Sequence, residues 1–239
     1  MSNPILHQHV ATLVTEDYRT ADVFRRYGMD FCCGGKKPIA EVCEKKGIDP
    51  NEVVKELEHV MVQPAAGMPR FRDWSAELLI DYIKQNHHTY VRSAIPRIAQ
   101  WINKVAQRHG HDRPENIEIA KLFEELAGAM MTHLEKEENE QFPLVEAVLE
   151  KHKNNEAPDE KQREDLKRLH RELESEHEHA GDTMAKIAEL SNQFTPPEWA
   201  CPTYQLAYKE LQDFEQDLHQ HVHLENNLLF PKATQLISN

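Results

Sequence analysis

Four histidines, His88, His133, His177 and His221, fall 45, 44 and 44 residues apart. The midpoints of those intervals lie near residues 110, 155 and 199. Each lands in a stretch rich in helix-breaking residues: RHGHDRP, KNNEAPD and FTPPEWACP. Between the breaks run four long amphipathic segments, at about 73–109, 115–152, 159–194 and 202–237. Glu, Lys, Leu, Ala and Gln dominate them, all good helix formers. The chain of 239 residues has only eight glycines and lacks β-branched clusters of period two. Long helices with short connections predict an all-α fold, an antiparallel up-down four-helix bundle. In such a bundle two residues equidistant from a turn sit at one height. The spacing therefore puts all four imidazoles in one layer.

Two of these histidines have a glutamate four residues on: Glu137 in HLEKE and Glu225 in HVHLE. Residues four apart share a helix face, so the layer offers four imidazoles and two carboxylates. That set suits two divalent metals, each held by two histidines and both bridged by the glutamates. One oxo or hydroxo bridge would leave a coordination position open on each, the mark of a reactive rather than a structural centre. Imidazole and carboxylate without thiolate suit iron, manganese or zinc, and a carboxylate-bridged pair favours iron. His87 competes with His88 for the first-segment position. His219 and His223 share a face directed away from His221 and are read as solvent-facing or supporting groups, as are His170 and His179. ENEQFPLVE and ENNLLFPKA close their motifs alike, an internal repeat attributed to packing. Pro96, Pro143 and Pro231 are expected to kink or terminate their helices.

Residues 1–62 read as a small helical domain, with Thr15 as the N-cap of TEDYRTADVFRRYG, and Asp49 with Pro50 opening DPNEVVKELEHVM. QPAAGMPR marks a linker, placed at 63–72, and the bundle occupies 73–239. The first domain carries MDFCCGGKKP. Adjacent cysteines cannot form an unstrained disulfide with each other. Gly34 and Gly35 are expected to take positive φ and leave Cys32 and Cys33 uncovered, with Lys36, Lys37 and the next helix start lowering their pKa. The pair would then accept electrons, nitrosyl groups or iron. The alternative is two small buried residues in a tight turn. Cys43 is a candidate third member, and Cys201 reads as structural.

A net charge of −13 argues against nonspecific binding to nucleic acid or anionic membranes. No apolar run approaches 18 residues, no signal-peptide pattern opens the sequence, and four unevenly spaced cysteines make no disulfide framework. A cytoplasmic setting is the expectation.

MDFCCGGK, HLEKEENEQFP, ESEHEHAG and HVHLENNLLFP together resemble the repair-of-iron-centres family of hemerythrin-like di-iron proteins. The resemblance spans nearly the whole chain. It implies a cytoplasmic protein with two oxo- or hydroxo-bridged iron ions that restores iron–sulfur clusters damaged by nitric oxide or peroxide. It maps the metal ligands onto His88, His133, Glu137, His177, His221 and Glu225. It also makes Glu176 a carboxylate behind the ligands, while Ala129 stands where the family has a second one. Damaged iron–sulfur proteins and nitric oxide are the implied partners, the electron donor is undefined, and a homodimer is a family-based expectation. Nitric oxide reduction, nitrosyl transfer and iron donation stay open as activities. The contrasting class is a hemerythrin-like protein that binds or senses O2 or NO without turnover.

Overall fold

A computed structural model describes residues 3–63 and 69–237. Among them the ordered structure is helical, with one isolated bridge between His9 and Pro38. The expected linker at 63–72 falls in large part on residues 64–68, outside the described residues. The chain forms two compact units, residues 1–79 with 222–233, and residues 80–221 with 234–239.

The first unit contains α1 (Val10–Glu16), α2 (Thr20–Arg26), α3 (Ile39–Lys46) and α4 (Pro50–Val62). Thr15 lies inside α1 and caps nothing. The break comes two residues later, where the Asp17 carboxylate accepts the Arg19 N–H at 3.1 Å and its Nε at 2.8 Å, closing a local turn that competes with the helix. Gly47 ends α3 with φ of +66°, and Asp49 caps α4 by accepting the Asn51 N–H at 2.9 Å. Val10, Val23, Phe24, Ile39 and Leu57 form the fully buried core of this unit, together with Cys43.

Four long helices follow. α5 is built of Ala76–Tyr82, Ile83–His88 and Thr89–His109 in succession. α6 is Glu115–Lys136, Glu137–Gln141 and Phe142–Lys153. α7 is Glu160–Leu190, and α8 is Pro202–Leu224, Glu225–Leu229 and Phe230–Ile237. The middle piece of α5, α6 and α8 is a π-helical turn. Pro143 and Pro231 do not end their helices. Each stands two residues after the end of a π-turn, where the regular i−4 ladder is already interrupted and a missing N–H costs least. Pro96 lies within α5, and the helix runs on through it.

Cross-helix partners in the second unit run in opposite directions along neighbouring helices. His87 meets Asp217 and Arg97 meets Glu210 between α5 and α8; Glu118 meets Lys186 and Lys136 meets Glu176 between α6 and α7. The bundle is therefore antiparallel, as the break positions require. Ile98, Phe123, Leu166, Leu173, Ile187 and Phe214 are buried along its axis, with Phe123 and Phe214 packed edge to face at 5.4 Å. Below them Asn116, Tyr204 and Tyr208 form a buried hydrogen-bonded triangle. His170 is buried rather than on the surface, and burial pushes its pKa down to about 4.

Two glycines separate close approach from idle flexibility. A Cβ on Gly35 would lie 2.6 Å from the Phe31 carbonyl oxygen and 2.8 Å from the Ala11 Cβ, whereas one on Gly128, within α6, meets nothing. Gly35→Ala should cost about 1–3 kcal/mol through overpacking against backbone. Gly128→Ala should add about 0.5–1 kcal/mol by removing backbone freedom from the unfolded chain. Urea unfolding of both variants against the parent checks the opposite signs.

Candidate metal centre

The residues picked out by spacing meet inside the second unit around one carboxylate. Glu137, the first residue of the α6 π-turn, is fully buried. Its two oxygens face different histidines. Oε2 lies 3.3 Å from His88 Nε2 and 4.0 Å from His221 Nε2. Oε1 lies 3.4 Å from His133 Nε2 and 4.0 Å from His177 Nε2. The latter two nitrogens are 3.0 Å apart. All four rings are buried. Sequence spacing brings the histidines into a layer; the structure further sorts them into two pairs, one for each oxygen of Glu137.

The opposite side of two rings fixes their chemistry. His88 Nδ1 is 2.7 Å from Glu138 Oε1, and His133 Nδ1 is 2.8 Å from Glu176 Oε2. Each Nδ1–H donates to its carboxylate, which leaves the Nε2 lone pair turned toward Glu137. Lone pairs facing a carboxylate oxygen across little more than 3 Å repel unless a cation lies between them. His133 Nε2 lies at hydrogen-bonding distance from His177 Nε2, which can donate to its lone pair. The donor set, four imidazole nitrogens and a buried carboxylate without sulfur, fits a pair of divalent transition metals. Two groups of ligand atoms within the second unit lie within 4.8 Å of one another: His88, Glu137 and His221, and His133, Glu137 and His177. Glu225 is fully buried and stands one helical turn past His221 on α8, at the first residue of that helix's π-turn.

The supporting carboxylates are themselves anchored. Arg92 donates to both oxygens of Glu138, at 2.8 and 3.0 Å. The Arg92 guanidinium, with the His88 ring, holds the Glu138 pKa down at about 2. The His133 hydrogen bond, with the Lys136 ammonium, does the same for Glu176, also at about 2. Glu176 thus occupies the expected supporting place. Glu138 is a further one that sequence reasoning missed; Arg92, one turn after His88, was its only signal. Ala129 lines a cavity of about 440 Å³ together with Thr132, His133, Ser175, Glu176 and His179, so the missing carboxylate leaves open space beside His133.

His87 is buried as well, but Asp217 accepts its Nδ1–H at 2.9 Å and its ring stacks on His221 at 5.3 Å with planes 7° apart. His88, not His87, reaches Glu137. His179 is exposed and His219 partly so. His223 departs from the expectation of a solvent-facing ring. It is buried in the first unit beside Phe31 and Tyr18, and burial pushes its pKa down to about 4.

The cysteine loop differs most from its sequence reading. Cys32 is buried, and its thiol donates to Asp30 Oδ1 at 3.1 Å. The hydrogen bond with Cys33, then burial, then the Asp30 charge raise its pKa well above the ordinary thiol range, so Cys32 is not thiolate-prone. Cys33 is half-buried. The only described glycines with positive φ are Gly28 and Gly47; Gly34 and Gly35 serve close approach instead. A Cβ on Gly34 would strike Asp30 Oδ2 at 2.8 Å. Cys43 packs in the core, where burial raises its pKa, and Cys201 is exposed rather than structural.

Among the described residues no helix is long and apolar enough to cross a membrane. Residues 79–233 match the Hemerythrin HHE cation binding domain, and residues 6–61 match a domain of unknown function, ScdA_N. The chain is 32% identical to the iron-sulfur cluster repair protein ScdA of Staphylococcus epidermidis over 227 residues, covering 94% of this chain and 97% of that one. It is 33% identical over 223 residues to the iron-sulfur cluster repair protein YtfE of Pectobacterium atrosepticum, covering 90% and 91%. The YtfE protein of Citrobacter koseri is 31% identical over 219 residues, with the same coverage. A buried ring of imidazoles around a shared carboxylate, a cysteine loop ahead of it and similarity over the whole length agree: the chain belongs to the family of hemerythrin-domain iron–sulfur cluster repair proteins.

Proposed function

We propose that the chain restores iron–sulfur clusters damaged by nitrosative or oxidative stress, and that its working centre is a pair of iron ions. His133 and His177 would hold one ion and His88 and His221 the other, with Glu137 and Glu225 bridging. The observation that carries this reading is the division of Glu137, one oxygen toward each histidine pair. A single metal chelated by both oxygens would have to draw all four imidazoles to one point, whereas each oxygen has its own histidine pair. Iron bound by these residues would supply the binding and reduction of nitric oxide, or labile iron for a damaged cluster.

The chain's own residues set the conditions for that chemistry. Glu138 and Glu176 hold the two rings in the tautomer that presents Nε2, and Arg92 and Lys136 keep those carboxylates charged. The fully buried Glu137 keeps bulk water from competing for the ligand positions. The cavity beside His133 offers small molecules an approach from solvent. Iron–sulfur proteins in general are the targets that this reading implies. A cytoplasmic location, a homodimer and an external electron donor complete it, with the small helical domain placed at 1–62 and the bundle at 73–239.

The test incubates a nitrosylated or peroxide-damaged iron–sulfur enzyme with the iron-loaded chain and follows its cluster absorbance and activity. Recovery is expected with the parent chain. Glu137→Gln should slow it at least about tenfold, since loss of a metal-bridging or ligand-supporting group typically costs 10–100-fold. Reversible dioxygen binding with no cluster recovery would favour the carrier or sensor reading instead.

Glu176 gives a pH test on the metal-free protein. Its folded pKa, near 2, lies below the ordinary 4.5, so its stabilising contribution is full above 4.5 and is lost as pH falls toward 2. The Tm of Glu176→Gln should therefore lie below that of the parent at pH 6. The gap should narrow steadily from pH 4.5 to pH 3. A gap that is constant across this range would contradict the charged role of Glu176.

A further inference from the structure

The imidazoles of the second unit are not all steadied in the same way. His88 and His133 each turn Nδ1 to a carboxylate, Glu138 at 2.7 Å and Glu176 at 2.8 Å. Against His221 lies another ring. The plane of His87 is 7° from parallel to it, with the centroids 5.3 Å apart. His87 is only 2% exposed, and two contacts fix its own plane. Its Nδ1–H donates to Asp217 Oδ1 at 2.9 Å, and Tyr82 packs edge-on against it at 5.5 Å. Asp217 stands one helical turn before His221 on α8, so the anchor of His87 and the ring that His87 covers share a helix face. For packing alone this arrangement is costly. His87 Nε2 and Asp217 Oδ2 are both buried and have no hydrogen-bond partner among the described residues. Each such atom costs about 1–3 kcal/mol, which an apolar pair of the same shape would avoid.

We propose that His87, set in place by Asp217, is the positioning residue for His221: its ring holds the His221 ring with Nε2 toward Glu137 and so raises the affinity of the ion that His88 and His221 share. The inference rests on the reading of His221 as a ligand. Two parallel rings resist rotation of either one, because turning a ring gives up contact over its whole face. A ligand already held in its working orientation loses less freedom when the ion arrives, and the ion binds more tightly for it. The contact bears on one ion of the two. His133 and His177 pack edge to face on each other at 4.7 Å, a ring contact of their own. Loss of the His87 ring therefore weakens one metal position selectively, which a general loosening of the bundle would not do.

The experiment titrates the metal-free, full-length chain with Fe(II) under anaerobic conditions against a chromophoric chelator, which reads each binding step separately. His87→Ala should weaken one step about 10–100-fold, the range usual for groups that support a metal ligand, and leave the other within about twofold. His87→Phe keeps a ring and gives up the hydrogen bond to Asp217. It should bring the weakened step back to within about threefold of the parent, as a retained ring contact allows. His87→Asn keeps the hydrogen bond and gives up the ring, and should bind like His87→Ala. The comparison of His87→Phe with His87→Asn carries the test where His87→Ala is too unstable to load. Binding by His87→Phe no tighter than by His87→Asn overturns the proposal, as does equal weakening of both steps in His87→Ala. The ligand reading survives either result. A parent chain that takes up no Fe(II) overturns the ligand reading, and the proposal falls with it.

Discussion

Everything about the centre depends on a carboxylate placed where water cannot reach it. Burying Glu137 costs several kcal/mol unless positive charge comes with it. Neutral imidazoles do not supply that charge: His88 and His133 turn their Nδ1–H toward Glu138 and Glu176, which leaves their Nε2 atoms facing Glu137. Glu137 thus calls for cations, either protons on those imidazoles or metals between them and its two oxygens. The outer layer confirms the direction of this pressure. Arg92 and Lys136 stabilise the supporting carboxylates in their charged form, so these go on accepting from the rings and the rings go on offering lone pairs inward.

The three π-turns are the backbone's share of the arrangement. In α6 and α8 the turn starts at a glutamate four residues past a histidine and closes at a Phe-Pro pair, Phe142-Pro143 and Phe230-Pro231. Widening the helix by one residue redirects the side chains that follow without breaking the rod, and the proline, lacking an N–H, fits where the ladder has already slipped. In α5 the turn ends at His88, which selects His88 over His87 for the inner layer. α7 has no such turn and presents His177 from a regular helix. The repeat read from sequence as a packing device thus coincides with two π-turns, each opening at a buried glutamate.

The layer of four histidines was legible because it rests on helix rise and on turns that announce themselves through Gly, Pro and Asn. The sorting of those rings into pairs was not, since it depends on how Glu137 is rotated within its turn. Glu138 was hidden for a related reason: next to Glu137 in an acidic run, it looks like a solvated charge until Arg92 and His88 are seen to meet it. The cysteine loop shows the larger gap. Its local sequence, with two glycines and two lysines, suggests exposure. Its burial is imposed by Asp30 within the loop and by residues 223–227, almost two hundred positions away. His223 was misjudged by the same route, because a face turned from the metal layer need not be turned to water.

The most direct measurement of the central claim is Mössbauer spectroscopy on the chain loaded with ⁵⁷Fe, with metal content determined on the same sample. The account predicts two irons per chain that behave as one exchange-coupled pair after oxidation, and loss of the pair in Glu137→Ala. A single isolated iron per chain, or a coupled pair that survives unchanged without the Glu137 carboxylate, would contradict it.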